Sequence, residues 1–174
     1  MIIHLKNKIS DDEIKRLYKI WFSKQDEIGH TDHLRYRVSA IEIQKYLNEL
    51  NLTYSFPLSY YRNCLLQTID ETYNGSMRKR EFHKHINEWT YVLYLNDNYK
   101  GGEIYFQDGT IIKPEKGDVV IFSGEEGHAI NTPYDFTEEY YYDGNSKHKI
   151  DKRFTIVGFC NTDIINPHVQ KNIL

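Results

Sequence analysis

A chain of 174 residues with 40% hydrophobic and 27% charged side chains fits one globular domain and leaves little room for a second. Its 22 basic and 25 acidic side chains leave a formal charge of −3, which provides no basic field of the kind a phosphate backbone requires. The mean hydropathy of −0.66 reflects abundant polar residues, and no run approaches the roughly 18 to 20 apolar residues of a membrane span.

The opening MIIHLKNKIS lacks the basic start and long apolar stretch of a signal peptide, so a cytoplasmic location is expected, and residues 1–9 read as a short strand. Ser10 and Glu13 form a capping box ahead of Ile14, Leu17, Tyr18, Trp21 and Phe22, whose spacing predicts an amphipathic helix. The run GHTDH at 29–33 breaks it, and Val38, Ile41, Ile43, Tyr46, Leu47 and Leu50 predict a second helix over 37–50. Residues 1–51 are thus expected to be helical packing elements. From 52 to 165 short β-type runs alternate with turn signals at Tyr73-Asn74-Gly75, Asn96-Asp97-Asn98, Lys100-Gly101-Gly102, Asp108-Gly109 and Pro114 to Gly117. No helical pattern separates them, which favours an antiparallel jelly roll over a βαβ arrangement. The polar stretch 135–149, DFTEEYYYDGNSKHK, reads as a loop, either a lid or a plain solvated insertion. The 15 tyrosines fit strand surfaces or aromatic pocket walls, while Cys64 and Cys160 are too few for a disulfide scaffold or a zinc ribbon.

The chemistry is concentrated after residue 80. In REFHKHINEWTYVLYLN, His83, His85 and Asn87 alternate along a strand and share one face. Two imidazoles so placed can chelate one cation of the Fe, Zn, Cu or Ni type, and an open site needs only three protein ligands. Then follow GGEIYF at 101–106, IIKPEKGDVVIFSGEEGHAIN at 111–131 and KRFTIVGF at 152–159.

The ordered set of His-x-His, YLN, GGE-x-x-F, P-x-x-GD, His and Arg-x-Thr resembles the 2-oxoglutarate/Fe(II)-dependent dioxygenases, in the branch similar to prolyl 4-hydroxylases. The matching motifs run from about 73 to 159. The resemblance implies a double-stranded β-helix and a hydroxylase using Fe(II), 2-oxoglutarate and O₂. Its substrate would be a peptide or small molecule, with a peptidyl proline or another amino-acid side chain as the first expectation. His128 matches the distal metal ligand, Arg153 the cosubstrate's carboxylate anchor, Thr155 the assisting hydroxyl, and Tyr94 a phenol reaching the same carboxylate.

Two departures stand out. The acidic ligand of the first motif is missing, so the first pair is either His83 with His85, giving a three-histidine set, or His85 with Asn87. Arg153 also follows His128 by 25 residues, a longer gap than the family's, which the 135–149 insertion explains. HKHINE, PEKGD and HAIN are similar, too, to the cupin pattern, which shares the barrel but has no use for the Arg-x-Thr pair. A barrel that binds without turnover is the other reading that a missing carboxylate leaves open.

Overall fold

The computed structural model describes residues 1–23, 34–37, 61–72, 82–85 and 89–160, with residues 34–37, 61–65 and 160 described by backbone alone. In chain order the elements are β1 (Ile2–Leu5), α1 (Asp11–Ser23), β2 (Leu34–Arg37), β3 (Tyr61–Ile69), β4 (Trp89–Tyr94), β5 (Ile104–Phe106), β6 (Ile111–Ile112), β7 (Val119–Ser123), β8 (His128–Ile130), β9 (Tyr140–Asp143), β10 (Ser146–Lys149) and β11 (Arg153–Cys160).

Ser10 caps the helix as expected, accepting from the Glu13 amide at 3.2 Å, whereas the Glu13 carboxylate, expected to complete a capping box, accepts from Arg16 Nε at 2.8 Å. Asp11, Asp12 and Glu13 then place negative charge in the first turn of α1, where it complements the helix dipole. The apolar stripe of α1 buries Ile14, Leu17, Tyr18 and Trp21.

Strands β1-β7-β4-β11-β3-β2 form one antiparallel sheet in that order, and β6-β5-β8 form a second. The larger sheet is covered on both faces, so its strands read as near-continuous apolar runs such as WTYVLY and VVIF. Alternation survives in what each residue touches. Tyr91, Leu93, Val119, Ile121, Phe154 and Ile156 pack with α1, whereas Val92, Tyr94, Val120 and Phe122 pack with Ile104, Phe106 and Ile112 of the smaller sheet. The result is a helix, a six-stranded sheet and a three-stranded sheet in layers, the jelly-roll arrangement of a double-stranded β-helix.

Two local devices hold this register. Gly158 lies opposite Tyr91, and a Cβ at Gly158 would sit 1.8 Å from that ring's Cζ, so no larger residue fits. Asp118 accepts from the Asn7 and Glu115 amides at 3.0 Å each and pairs with His4 at 2.7 Å, tying β1 to the start of β7.

The expected second helix over 37–50 lies outside the described residues, apart from Arg37, which ends β2. The loop expected over 135–149 is corrected: it carries the β9–β10 hairpin, in which Asp143 pairs with Ser146. Gly144, with φ of 58°, takes the first loop position, the one a type II′ turn reserves for glycine. The hairpin docks on α1, with Phe22 stacked 4.3 Å from His148 and 5.8 Å from Tyr141, centroid to centroid. No residue from 135–149 lines the cleft described next.

Candidate metal centre

Between the two sheets lies a cleft of about 450 Å³ including its solvent-open end, lined in part by His83, His85, His128 and Arg153. Its histidines are brought together by backbone pairing. His83 and His128 exchange both amide-to-carbonyl bonds at 3.0 Å, and the His85 amide donates to the Gly124 carbonyl at 3.0 Å. This antiparallel bridge adds residues 82–85 to the free edge of β8, so alternate positions 83 and 85 project beside the His128 ring.

One ligand atom from each imidazole falls within 4.8 Å of the others, and Nε2 of His85 lies 3.2 Å from Nε2 of His128. Two donors at about 2.1 Å from one ion and at right angles lie roughly 3 Å apart, so this pair already has the spacing of neighbouring ligands. His128 is 3% exposed, and its Nδ1 lies 3.1 Å from the Glu126 carbonyl. That bond assigns the proton to Nδ1 and frees the Nε2 lone pair. Burial, reinforced by the neighbouring His83, pushes the His85 pKa down to about 4 and that of His128 to about 3. Both rings are neutral at pH 7, the state a metal ligand needs. Among the described residues no carboxylate joins this cluster. Asn87, the other candidate, lies outside the described residues.

Arg153 supplies the second half of the site. It is 1% exposed, and neither its Nε nor its Nη1 has a hydrogen-bond partner among the described residues. Its Cζ lies 5.6 Å from the centroid of Tyr94, whose buried hydroxyl is likewise without a partner. Burial pushes the Tyr94 pKa up to about 12 against the opposing pull of the Arg153 charge, so the phenol keeps its proton to donate. Thr155 is fully buried on the same strand face, its hydroxyl donating to the Gln67 carbonyl at 3.5 Å. A buried guanidinium with idle N–H groups is costly unless an anion answers it.

The cleft also contains residues that sequence reasoning did not single out: Gln67, Thr90, Val92, Phe122, Val157 and Phe159 from the large sheet, and Ile104 and Ile130 from the small one. Val157 and Phe159 were available from the period-2 face of Arg153 and Thr155. Gln67, Thr90 and Phe122 depend on the sheet register, which no local pattern carries. Tyr99 is a further buried phenol without a hydrogen-bond partner among the described residues, its pKa raised by burial against the opposing pull of the Arg153 charge.

Residues 65–161, more than half of the chain, match the family model of the 2OG-Fe(II) oxygenase superfamily. The chain belongs to that superfamily. It is an Fe(II)- and 2-oxoglutarate-dependent dioxygenase, and the cupin alternative falls away. No curated protein sequence matches the chain. Its fold is similar to that of a prolyl-4-hydroxylase from Pseudomonas putida (TM-score 0.62, 13% identity, 92% of this chain and 91% of that one). A viral collagen prolyl hydroxylase from Paramecium bursaria Chlorella virus-1, solved as its 2-oxoglutarate complex, gives a TM-score of 0.61 at 15% identity over 91% and 93% of the two chains. An oxidoreductase of the 2OG-Fe(II) oxygenase family from Burkholderia pseudomallei gives 0.58 at 15% identity over 92% and 84%.

The residues present fit both groups that the superfamily uses. Three neutral imidazoles suit a borderline divalent metal such as Fe(II), and the idle donors of Arg153 and Tyr94 suit a carboxylate.

Proposed function

We propose that the enzyme hydroxylates an amino-acid side chain, with a peptidyl proline as the first candidate. In this reading His83, His85 and His128 hold Fe(II), while Arg153, Tyr94 and Thr155 hold the distal carboxylate of 2-oxoglutarate. Bound Fe(II) supplies O₂ activation coupled to decarboxylation of the cosubstrate to succinate. The protein's own contribution is positioning. The imidazoles present lone pairs toward one point, and the guanidinium fork takes the carboxylate bidentately. Val92, Ile104, Phe122, Ile130, Val157 and Phe159 keep the reacting end of the cleft dry. A neutral, apolar wall of this kind suits an aliphatic carbon better than a charged group. The proline preference rests on the likeness to the Pseudomonas and viral prolyl hydroxylases, and substrate screening tests it.

The observation that carries the reading is Arg153, a guanidinium 1% exposed with two unanswered nitrogens in the cleft that also holds the histidines. Arg153→Ala is expected to weaken 2-oxoglutarate binding by about 2–3 kcal/mol, roughly 30- to 150-fold, with metal affinity unchanged. Arg153→Lys recovers only part of that loss because one ammonium cannot reproduce the fork. Calorimetric titration of the Mn(II)-loaded protein with 2-oxoglutarate measures both. Equal binding by wild type and Arg153→Ala would remove the cosubstrate assignment.

A further inference from the structure

Thr90 is a buried hydroxyl that neither the fold nor the reading above uses. It lies on β4, 1% exposed, and its Oγ1 has no hydrogen-bond partner among the described residues. A β-branched residue suits this strand, but valine would fill the same space without a polar atom, so the hydroxyl is a cost to the empty fold.

Its surroundings indicate what answers it. Thr90 faces the cleft with Val92, and in the sheet it stands between Phe122 of β7 and Phe159 of β11. Those two rings contact the metal-ligand candidates: Phe122 lies 4.5 Å from His128 and Phe159 lies 4.8 Å from His85, centroid to centroid. Thr90 is therefore in the row of residues directly beneath the histidines. Arg153 is at the other end of the same face, six positions along β11 from Phe159. A diacid whose far carboxylate sat on Arg153 would run along this face toward the histidines. If its 2-oxo acid end were held by a metal on those histidines, that end would still carry a carboxylate oxygen able to accept from a side-chain donor. Among the described residues, the polar side chains lining the cleft apart from the histidines are Gln67, Thr90 and Arg153, and Thr90 is the one held between the two rings that touch His85 and His128.

We propose that the Thr90 hydroxyl donates a hydrogen bond to the metal-proximal carboxylate of 2-oxoglutarate and so fixes the orientation of its chelating end. The proposal rests on the cosubstrate reading of Arg153, and its test separates the two. Wild type, Thr90→Val and Thr90→Ser are each loaded with Mn(II) under nitrogen and titrated calorimetrically with 2-oxoglutarate, and the metal-free forms are melted in parallel. Thr90→Val is expected to weaken 2-oxoglutarate about five- to tenfold, Thr90→Ser to restore it to within about twofold, and Mn(II) affinity to stay the same. Metal-free Thr90→Val is expected to melt no lower than wild type, since the hydroxyl it removes has no partner there. Tight binding by wild type with an unchanged Kd for Thr90→Val overturns the Thr90 assignment and leaves Arg153 standing. So does a metal-free Thr90→Val that melts several degrees lower, because the hydroxyl would then serve the fold. A wild type that takes up Mn(II) but no 2-oxoglutarate overturns both.

Discussion

His85 and His128, the proposed metal ligands, are kept neutral by the cleft. Burial and the neighbouring His83 lower their pKa values from 6.5 to about 4 and about 3. An unfolded chain takes up these protons as pH falls through about 6.5, whereas the folded chain does so only near 4 and 3. Below 6.5 the unfolded state binds more protons, so falling pH costs the metal-free protein stability down to about pH 3, where the folded His128 also takes up its proton, and the penalty is absent above 6.5. Thermal melts of the metal-free protein should therefore decline steadily from pH 7 to pH 5, and His128→Ala should flatten that decline. Metal affinity from these two rings should stay level between pH 8 and about pH 5, where histidines of ordinary pKa would lose it near 6.5. The alternation of His83 and His85 was legible in the chain, because a strand's period of two is a local property. Phe122 and Thr90 were not, because they reach the same point only through strand pairing across long stretches of sequence.

At the scale of elements, α1 is the clearest case of local chemistry deciding structure. Ser10→Ala removes the acceptor of the Glu13 amide and should cost about 1 kcal/mol, lowering Tm by about 2–4 °C in a chain of this size. Gly158→Ala is expected to be worse, about 3 kcal/mol by chemical denaturation, because the new methyl meets the Tyr91 ring in the middle of β11. The hairpin at β9–β10 was misread for a physical reason. Its residues are mostly polar, so the segment resembles a solvated loop. What makes it a hairpin is the Gly144 turn and the stacking of Tyr141 and His148 on Phe22 of α1. Asp143-Gly144 is a turn signal that the reading of 135–149 as a loop left unused, and the partner surface on α1 could not be seen from within the segment.

Across the whole molecule, the order of motifs carried the fold class, because YLN, GGE, PxxGD and Arg-x-Thr each mark a strand end or turn of the same two-sheet framework. The framework then explains how residues 70 positions apart share one cleft. β11 runs between β3 and β4, carrying Arg153 on its inner face, while the small sheet presents His128 across from it and the 82–85 bridge adds His83 and His85. Fe(II) and 2-oxoglutarate are proposed to bind together in this cleft, through the histidines at one end and Arg153 at the other. Anaerobic addition of Fe(II) to the protein, with and without 2-oxoglutarate, tests this most directly. A weak visible charge-transfer band is expected that develops only when both are present, saturates at one equivalent of iron, and is lost in His128→Ala. No band with both present, or the same band without 2-oxoglutarate, would contradict it.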